Sequence, residues 1–411
     1  MGRETIVIVG GGVCAMSAAH TLRAEGYEGA VVIVAAEDHL PYERPPLSKG
    51  YLAGATERDH LFPLERSWYA DNEVEVLRGV RASRIDWAAR RVEADGERLR
   101  YSALLIATGG TPRRLDSAAE GTVEYLRTIE DAERLRSEMA PGSRLAIIGG
   151  GFIGCEVAAT ARAAGMEVTI LEEASLPLAV LGEDAARVLM RIHVSHGVDV
   201  RTRAPVAGAE PEGDGVLVAL ADGSRIDAAI AVAGLGIVPN DELAARAGIE
   251  VNDGVLVDEG CRASAPDVYA AGDVARHRHP AYASPIRVEH HDNALKQGAA
   301  AARSMLGREA VYDEPHWFWS DQYGHNIQTA GRIDDHDLIV TRGSAGDLSF
   351  ISFYLRGRAL RGVLALNRTR EMRAARRLLA SHSSPDPARL ADETVDLSSF
   401  IPRRAGRASG R

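Results

Sequence analysis

The sequence predicts an α/β chain with two doubly wound units and a smaller α+β region at its C-terminal end. Three observations predict it. A strand–glycine turn–helix–strand pattern occurs twice, and each copy closes on an acidic residue. From Trp317 onward the texture changes to aromatic clusters and short strands.

The first copy opens with Ile6-Val7-Ile8-Val9, turns through Gly10-Gly11-Gly12-Val13-Cys14-Ala15, runs as a helix to about Arg23 and returns as a strand over Ala30–Val34. The second has the strand Leu145–Ile148, the turn Gly149-Gly150-Gly151-Phe152-Ile153-Gly154, a helix to about Ala164 and the strand Glu167–Leu171. Short strands and turns fill Val74–Leu105 and Val198–Ala233. Further strands are expected around Leu348–Tyr354 and Leu360–Asn367, then a polar helix over Glu371–Ala380. The tail beyond Ser381, rich in Ser, Pro and Arg, is expected to be loosely ordered at its end.

Each turn is of the dinucleotide-binding, Rossmann-like type. The first glycine (Gly10, Gly149) permits a tight turn and the second (Gly12, Gly151) admits a pyrophosphate. The third small residue (Ala15, Gly154) lets helix pack on strand. The helix N-terminus then offers free N–H groups and partial positive charge to phosphate. The acidic residue is Glu37 in the first copy, 22 residues after Ala15, and Glu172 in the second, 18 residues after Gly154. A carboxylate there accepts from ribose hydroxyls and repels a 2′-phosphate. Residues 172–175 read Glu-Glu-Ala-Ser with no arginine, so the second site is expected to take NADH, not NADPH.

Bulk properties exclude several classes. A chain of 411 residues exceeds one core and divides into domains. With 45% apolar and 26% charged residues it has a globular composition, and no apolar run is long enough to span a membrane. The net charge of −10 argues against nucleic acid as a partner. The N-terminus enters a strand at once without a signal-peptide layout, so a cytoplasmic protein is expected. Cys14, Cys155 and Cys261 are far apart and are expected to be buried apolar residues. Of 48 basic residues only Lys49 and Lys296 are lysines, which marks them as positions needing a compact ammonium. The pairs His193/His196 and His277/His279 lack cysteine or carboxylate support at a known spacing, so no metal site is expected.

The run Leu40-Pro41-Tyr42-Glu43-Arg44-Pro45-Pro46-Leu47-Ser48-Lys49, the turn Ala107-Thr108-Gly109 with Pro112-Arg113, and Gly149–Glu156 resemble one known family. Tyr269-Ala270-Ala271-Gly272-Asp273 and Phe318-Trp319-Ser320-Asp321-Gln322 resemble it too. This is the family of FAD-dependent ferredoxin reductases that serve Rieske-type oxygenases and haem monooxygenases, of the pyridine nucleotide-disulfide oxidoreductase-like fold without its redox disulfide. The resemblance reaches about Leu397. It implies an FAD domain over 1–113 and 244–315 with the NADH domain, 114–243, inserted in it, and a C-terminal domain over 316–411 at the flavin and acceptor face.

By the same resemblance Arg44, Lys49, Arg113 and Asp273 contact FAD, and Ala82, Ala107, Thr108, Gly109 and Gly272 complete its contacts. The implied reaction is hydride transfer from nicotinamide C4 to flavin N5, with Lys49 and Glu156 paired beside N5. In Val288-Glu289-His290-His291-Asp292-Asn293-Ala294, ahead of an apolar helix, the N–H groups are placed to stabilise charge at the flavin N1–O2 edge. His291 stands where members of the family often carry an aromatic residue, so backbone is assigned the role.

Residues 40–50 hold no cysteine, the place where disulfide reductases of similar architecture carry theirs. The flavin is then the last redox centre, and an iron–sulfur ferredoxin is the expected acceptor. Trp319 matches a tryptophan near the flavin on the docking face. Arg308, Arg373, Arg376 and Arg377 offer positive charge to an acidic, transiently bound ferredoxin. A rubredoxin-type or quinone-type acceptor is the near alternative, and an FAD/NADH redox-sensing interaction protein the distant one. Either a monomer or a homodimer is compatible with the sequence.

Overall fold

The computed structural model describes residues 4–282 and 284–401. Two compact units emerge, one from residues up to 139 together with 230–313, the other from 140–229 together with 314 onward.

The first unit is built on a five-stranded parallel sheet. Its order is Val268–Ala270, Ala103–Ile106, Thr5–Val9, Ala30–Ala35, Val74–Arg78. Successive side chains of a strand face opposite ways, and the core divides accordingly. Ile6, Ile8, Val31 and Ile33 share one apolar cluster with Ala15, Ala18, Leu22 and Ala301 of the helices Val13–Ala24 and His291–Met305. Val7, Val9, Val32 and Val34 face the other cluster with Ile85 and Val92. These last come from an antiparallel sheet of Ala82–Asp86, Arg91–Ala94 and Glu97–Arg100. Burial on both faces explains why the central strands read as continuous apolar runs. The edge strand Val268–Ala270 joins the sheet beside Ala103–Ile106 in the register Val268↔Leu104, so this unit is discontinuous in sequence.

In the second unit Arg144–Ile148, Glu167–Glu172 and Asp199–Thr202 pair in parallel. The helices Phe152–Ala163 and Glu183–Ser195 connect them. An antiparallel sheet of Val206–Glu212, Gly215–Leu220 and Arg225–Ala228 follows. The C-terminal stretch forms a five-stranded antiparallel sheet in the order Trp317–Gln322, His325–Gly331, Ala359–Leu366, Ser349–Arg356, Leu338–Ser344. Helix Thr369–Ala380 lays Met372, Ala375, Leu378 and Leu379 on its Ile351, Phe353, Val363 and Ala365.

One local expectation changes. The helix after Val288 begins inside the expected run, at His291, with His290 as its N-cap. Beyond Ser381 the chain is packed through Leu397. Asp386 caps a short helix, Pro387–Ala391, Asp396 caps the turn Leu397–Phe400, and Leu390 and Leu397 are buried in the C-terminal core. The end of the tail, 402–411, lies outside the described residues.

Candidate cofactor sites

Within the first unit, strand Thr5–Val9 delivers the chain into the turn at Gly10. Gly10 has φ +127°, and a Cβ there would lie 2.0 Å from the Ala107 carbonyl oxygen, so only glycine lets the two strand ends approach. Gly12 is the N-cap of helix Val13–Ala24 and gives it no side-chain cap. A Cβ at Gly12 would meet nothing within 4 Å, so the chain leaves room beside this N-cap. Ala15, fully buried, packs the helix on the sheet.

Glu37 follows strand Ala30–Ala35 and is held from two sides. Tyr42 Oη donates to its Oε2 at 2.6 Å and Arg44 Nη2 to its Oε1 at 2.6 Å. Burial pushes the Tyr42 hydroxyl well up, so it stays a donor. A carboxylate has about four acceptor positions, so two remain for ribose hydroxyls. Lys49 follows a short 3₁₀ turn, Pro45–Ser48, and its Nζ donates to the Pro45 carbonyl at 3.2 Å. Arg113 is exposed and joins the Gly236 carbonyl through its backbone N–H, while Ala82 is half-buried against the second core cluster.

Three partners in this unit carry no motif and were not foreseen. Asn240 holds the Ala107-Thr108-Gly109 turn: Thr108 Oγ1 donates to its carbonyl at 2.7 Å, and its Nδ2 donates to the Thr108 carbonyl at 2.9 Å. Gln297, fully buried, accepts the Gly272 N–H at 2.8 Å and so fixes the turn bearing Asp273. Arg127 Nη2 pairs with Asp273 Oδ2 at 3.0 Å. Each sits far in sequence from the group it serves, so no local pattern announces it. His290 and His291 start the 15-residue helix His291–Met305, whose N-cap also lacks a side-chain cap. Burial lowers His290 to about 4, which makes it a neutral imidazole near pH 7.

In the second unit Gly149, Gly151 and Gly154 repeat the arrangement. A Cβ at Gly154 would lie 2.2 Å from the Gly149 carbonyl oxygen, and Gly151 leaves helix Phe152–Ala163 uncapped. Glu172 accepts the Gly150 N–H on Oε2 and the Ala174 N–H on Oε1, each at 2.7 Å. The carboxylate thus braces its own loop and still has lone pairs to spare. Ile153 is 42% exposed at the helix start, and Phe152 packs its ring 4.2 Å from Phe318. Glu156, one turn further, is buried at 2% exposure and accepts from Ser320 Oγ at 2.6 Å. Trp319 stacks on Trp317 at 5.0 Å and 19°, and the Arg376 guanidinium lies 4.3 Å from the Trp317 ring centroid.

His193 belongs to this unit as well. Its Nε2 meets Gln322 Oε1 at 2.9 Å and its Nδ1 meets Tyr323 Oη at 3.1 Å. Among the described residues no group of three or more His, Cys, Asp or Glu is arranged to hold a metal, and no helix is long and apolar enough to cross a membrane. The three cysteines are free and buried. Burial raises each thiol, Cys261 to about 12, which leaves almost no thiolate for disulfide chemistry.

Residues 4–298 match the family described as Pyridine nucleotide-disulphide oxidoreductase, and residues 317–401 match Reductase C-terminal. The chain belongs to this family. Putidaredoxin reductase of Pseudomonas putida is 36% identical over 97% of this chain and 97% of its own length. The ferredoxin–NAD(+) reductase component of the anthranilate 1,2-dioxygenase system of Burkholderia cepacia is 37% identical over 98% of this chain and 100% of its own. Among solved structures, the covalent putidaredoxin reductase–putidaredoxin complex superposes with TM-score 0.94 at 36% identity, covering 97% of this chain and 98% of that one.

Members of the family use FAD and NAD(H), and the residues present fit both groups. Each glycine turn sets an uncapped helix N-terminus opposite a strand-end carboxylate. In the first unit the buried Arg127 Nε has no hydrogen-bond partner among the described residues, a donor beside Asp273 that an anionic ligand would satisfy.

Proposed function

We propose that this chain takes hydride from NADH onto FAD and passes the electrons singly to an iron–sulfur ferredoxin that feeds an oxygenase. The observation that carries it is the pair of uncapped helix N-termini, each behind a glycine turn and each facing an anchored carboxylate, Glu37 and Glu172. Bound FAD supplies the ability to accept two electrons together and release them one at a time. The chain's own residues bind, orient and exclude. Gly12 and the N–H groups behind it take the FAD pyrophosphate, Glu37 its ribose, and Asp273 with Arg127 the region between. Gly151 and Glu172 do the same for NADH, with Glu172 repelling a 2′-phosphate. The N–H groups at the start of helix His291–Met305 offer positive potential to an anionic edge of the flavin.

Lys49 and Glu156 are the residues assigned to hydride transfer, and Trp319 the one assigned to the electron exit. The ferredoxin partner is supported by the relatives, two of which are named for the ferredoxins or oxygenase systems they serve. Docking is proposed to be transient and steered by Arg373, Arg376 and Arg377. Arg308 is a weaker contributor than its sequence position suggests, because its guanidinium is tied to Glu25. A cytoplasmic setting fits three free buried thiols.

The deciding experiment is NADH oxidation by the FAD-loaded protein against a panel of purified ferredoxins, with NADPH as control. Rapid, ferredoxin-dependent turnover with NADH is expected. A reduced protein that persists with every ferredoxin overturns the reading. Lys49→Ala is expected to slow flavin reduction in stopped-flow by about tenfold or more, and an unchanged rate removes Lys49 from the step.

A further inference from the structure

Three polar side chains lie buried in the second unit behind Glu156, with a half-buried fourth at their outer end. Ser320, Gln322 and His193 are 0%, 3% and 0% exposed, and Tyr323 adjoins them. Burying so many polar groups is costly unless every one is satisfied, and apolar residues of similar volume serve a core as well. Here they are satisfied in one direction. Ser320 Oγ donates to Glu156 Oε1 at 2.6 Å, and Gln322 Nε2 donates to Ser320 Oγ at 3.1 Å. Gln322 Oε1 faces His193 Nε2 at 2.9 Å, and Tyr323 Oη lies 3.1 Å from His193 Nδ1.

Chemistry fixes the polarity. A carboxylate accepts, so the Ser320 hydroxyl spends its proton on Glu156 and its lone pair takes the Gln322 amide N–H. The Gln322 carbonyl then only accepts, so His193 carries its proton on Nε2. Nδ1 is left as acceptor for the Tyr323 hydroxyl. Burial lowers His193 to about 4, so the neutral ring this pattern demands is the form present near pH 7. His196 stacks on Tyr323 at 3.9 Å and 17°, closing the outer end of the chain.

We propose that Tyr323, His193, Gln322 and Ser320 form a directional hydrogen-bond chain whose task is to hold the Glu156 carboxylate in one orientation, which makes His193 and Ser320 positioning residues for hydride transfer. The inference rests on the assignment of Glu156 to that step. An amide link does not relay protons, so the chain positions and does not conduct. The strand that carries Ser320 and Gln322 and the two helices that carry Glu156 and His193 are rigid elements, the setting in which small displacements of a reacting group cost most in rate.

The test is stopped-flow reduction of the FAD-loaded enzyme by NADH in wild type, Ser320→Ala, Glu156→Gln and the double variant. Ser320→Ala is expected to lower the limiting rate about tenfold, with the half-saturating NADH concentration changed by less than about twofold. Glu156→Gln is expected to lower it at least as much, and Ser320→Ala to add nothing on the Glu156→Gln background. A wild-type rate in Ser320→Ala beside a slowed Glu156→Gln overturns the positioning chain. An equal slowing by Ser320→Ala on both backgrounds also overturns it, since the serine then acts by packing. A wild-type rate in Glu156→Gln overturns the assignment beneath it instead. Should Ser320→Ala fail to fold, the imidazole ¹⁵N shifts of His193 in the wild-type holoenzyme decide. A neutral Nε2–H tautomer from pH 6 to 8 is expected, and an Nδ1–H tautomer or a cationic ring overturns the chain.

Discussion

Glu172 does two things with one carboxylate. It braces its loop through the Gly150 and Ala174 N–H groups, and it is assigned to discriminate against a 2′-phosphate. Glu172→Gln keeps the size, removes the charge and sets an amide NH₂ against one of those N–H groups. The ratio of kcat/KM for NADPH to that for NADH is expected to rise about tenfold or more. Measuring both cofactors under one buffer checks it, and an unchanged ratio refutes the role. His193 gives a second prediction at this scale. Its folded pKa, about 4, lies below the unfolded value of about 6.5, so the unfolded chain binds more protons between those values. Its stabilising contribution is therefore complete above about pH 6.5 and lost as pH falls toward 4, up to roughly 3 kcal/mol. Denaturant unfolding from pH 7 to 4.5 should show the loss, and its pH slope should shrink in a folded His193→Gln variant.

At the scale of elements, close approach and caps decide. Gly10→Ala drives a Cβ into the Ala107 carbonyl at an unfavourable φ, so the first turn must open. A loss of about 2 kcal/mol or more and purification with little FAD are expected, read by thermal unfolding and the flavin absorbance. The last segment is held differently. Arg342, 2% exposed, donates to the Leu390 carbonyl, to that of Val395 at 2.9 Å and to that of Arg389 at 3.3 Å. Arg342→Met strips all three acceptors of their donor, with a cost of about 2–4 kcal/mol. Limited proteolysis is expected to cut near Pro387 in that variant and to spare the wild type.

Across the whole molecule, an acidic protein of net charge −10 must meet its electron acceptor through a local positive patch if it meets it electrostatically. Arg373 and Arg377 are exposed on helix Thr369–Ala380, while Arg376 is partly spent on the Trp317 ring. Ferredoxin reduction is expected to slow as ionic strength rises from low to physiological values. Arg373→Glu/Arg377→Glu should slow it further while leaving NADH–ferricyanide turnover unchanged. Salt-independent ferredoxin reduction would remove the steering.

The central strands and the two glycine turns were legible in the sequence. Each depends on residues adjacent along the chain: Ile6 to Ala15, Leu145 to Gly154. The same holds for the buried cysteines, whose type alone forecasts their place. What only the tertiary structure decided is the set of partners around those motifs. Asn240 grips Thr108 from 132 positions away, Arg127 reaches Asp273 across 146, and His193 reaches Gln322 across 129. No local periodicity encodes such pairs, because they form only when strands distant in sequence are laid side by side by burial of their apolar faces. The packed segment 387–400 belongs here too. No local pattern announced its anchor, and it is the buried Arg342 guanidinium, 47 to 53 residues upstream, that holds its carbonyls in place.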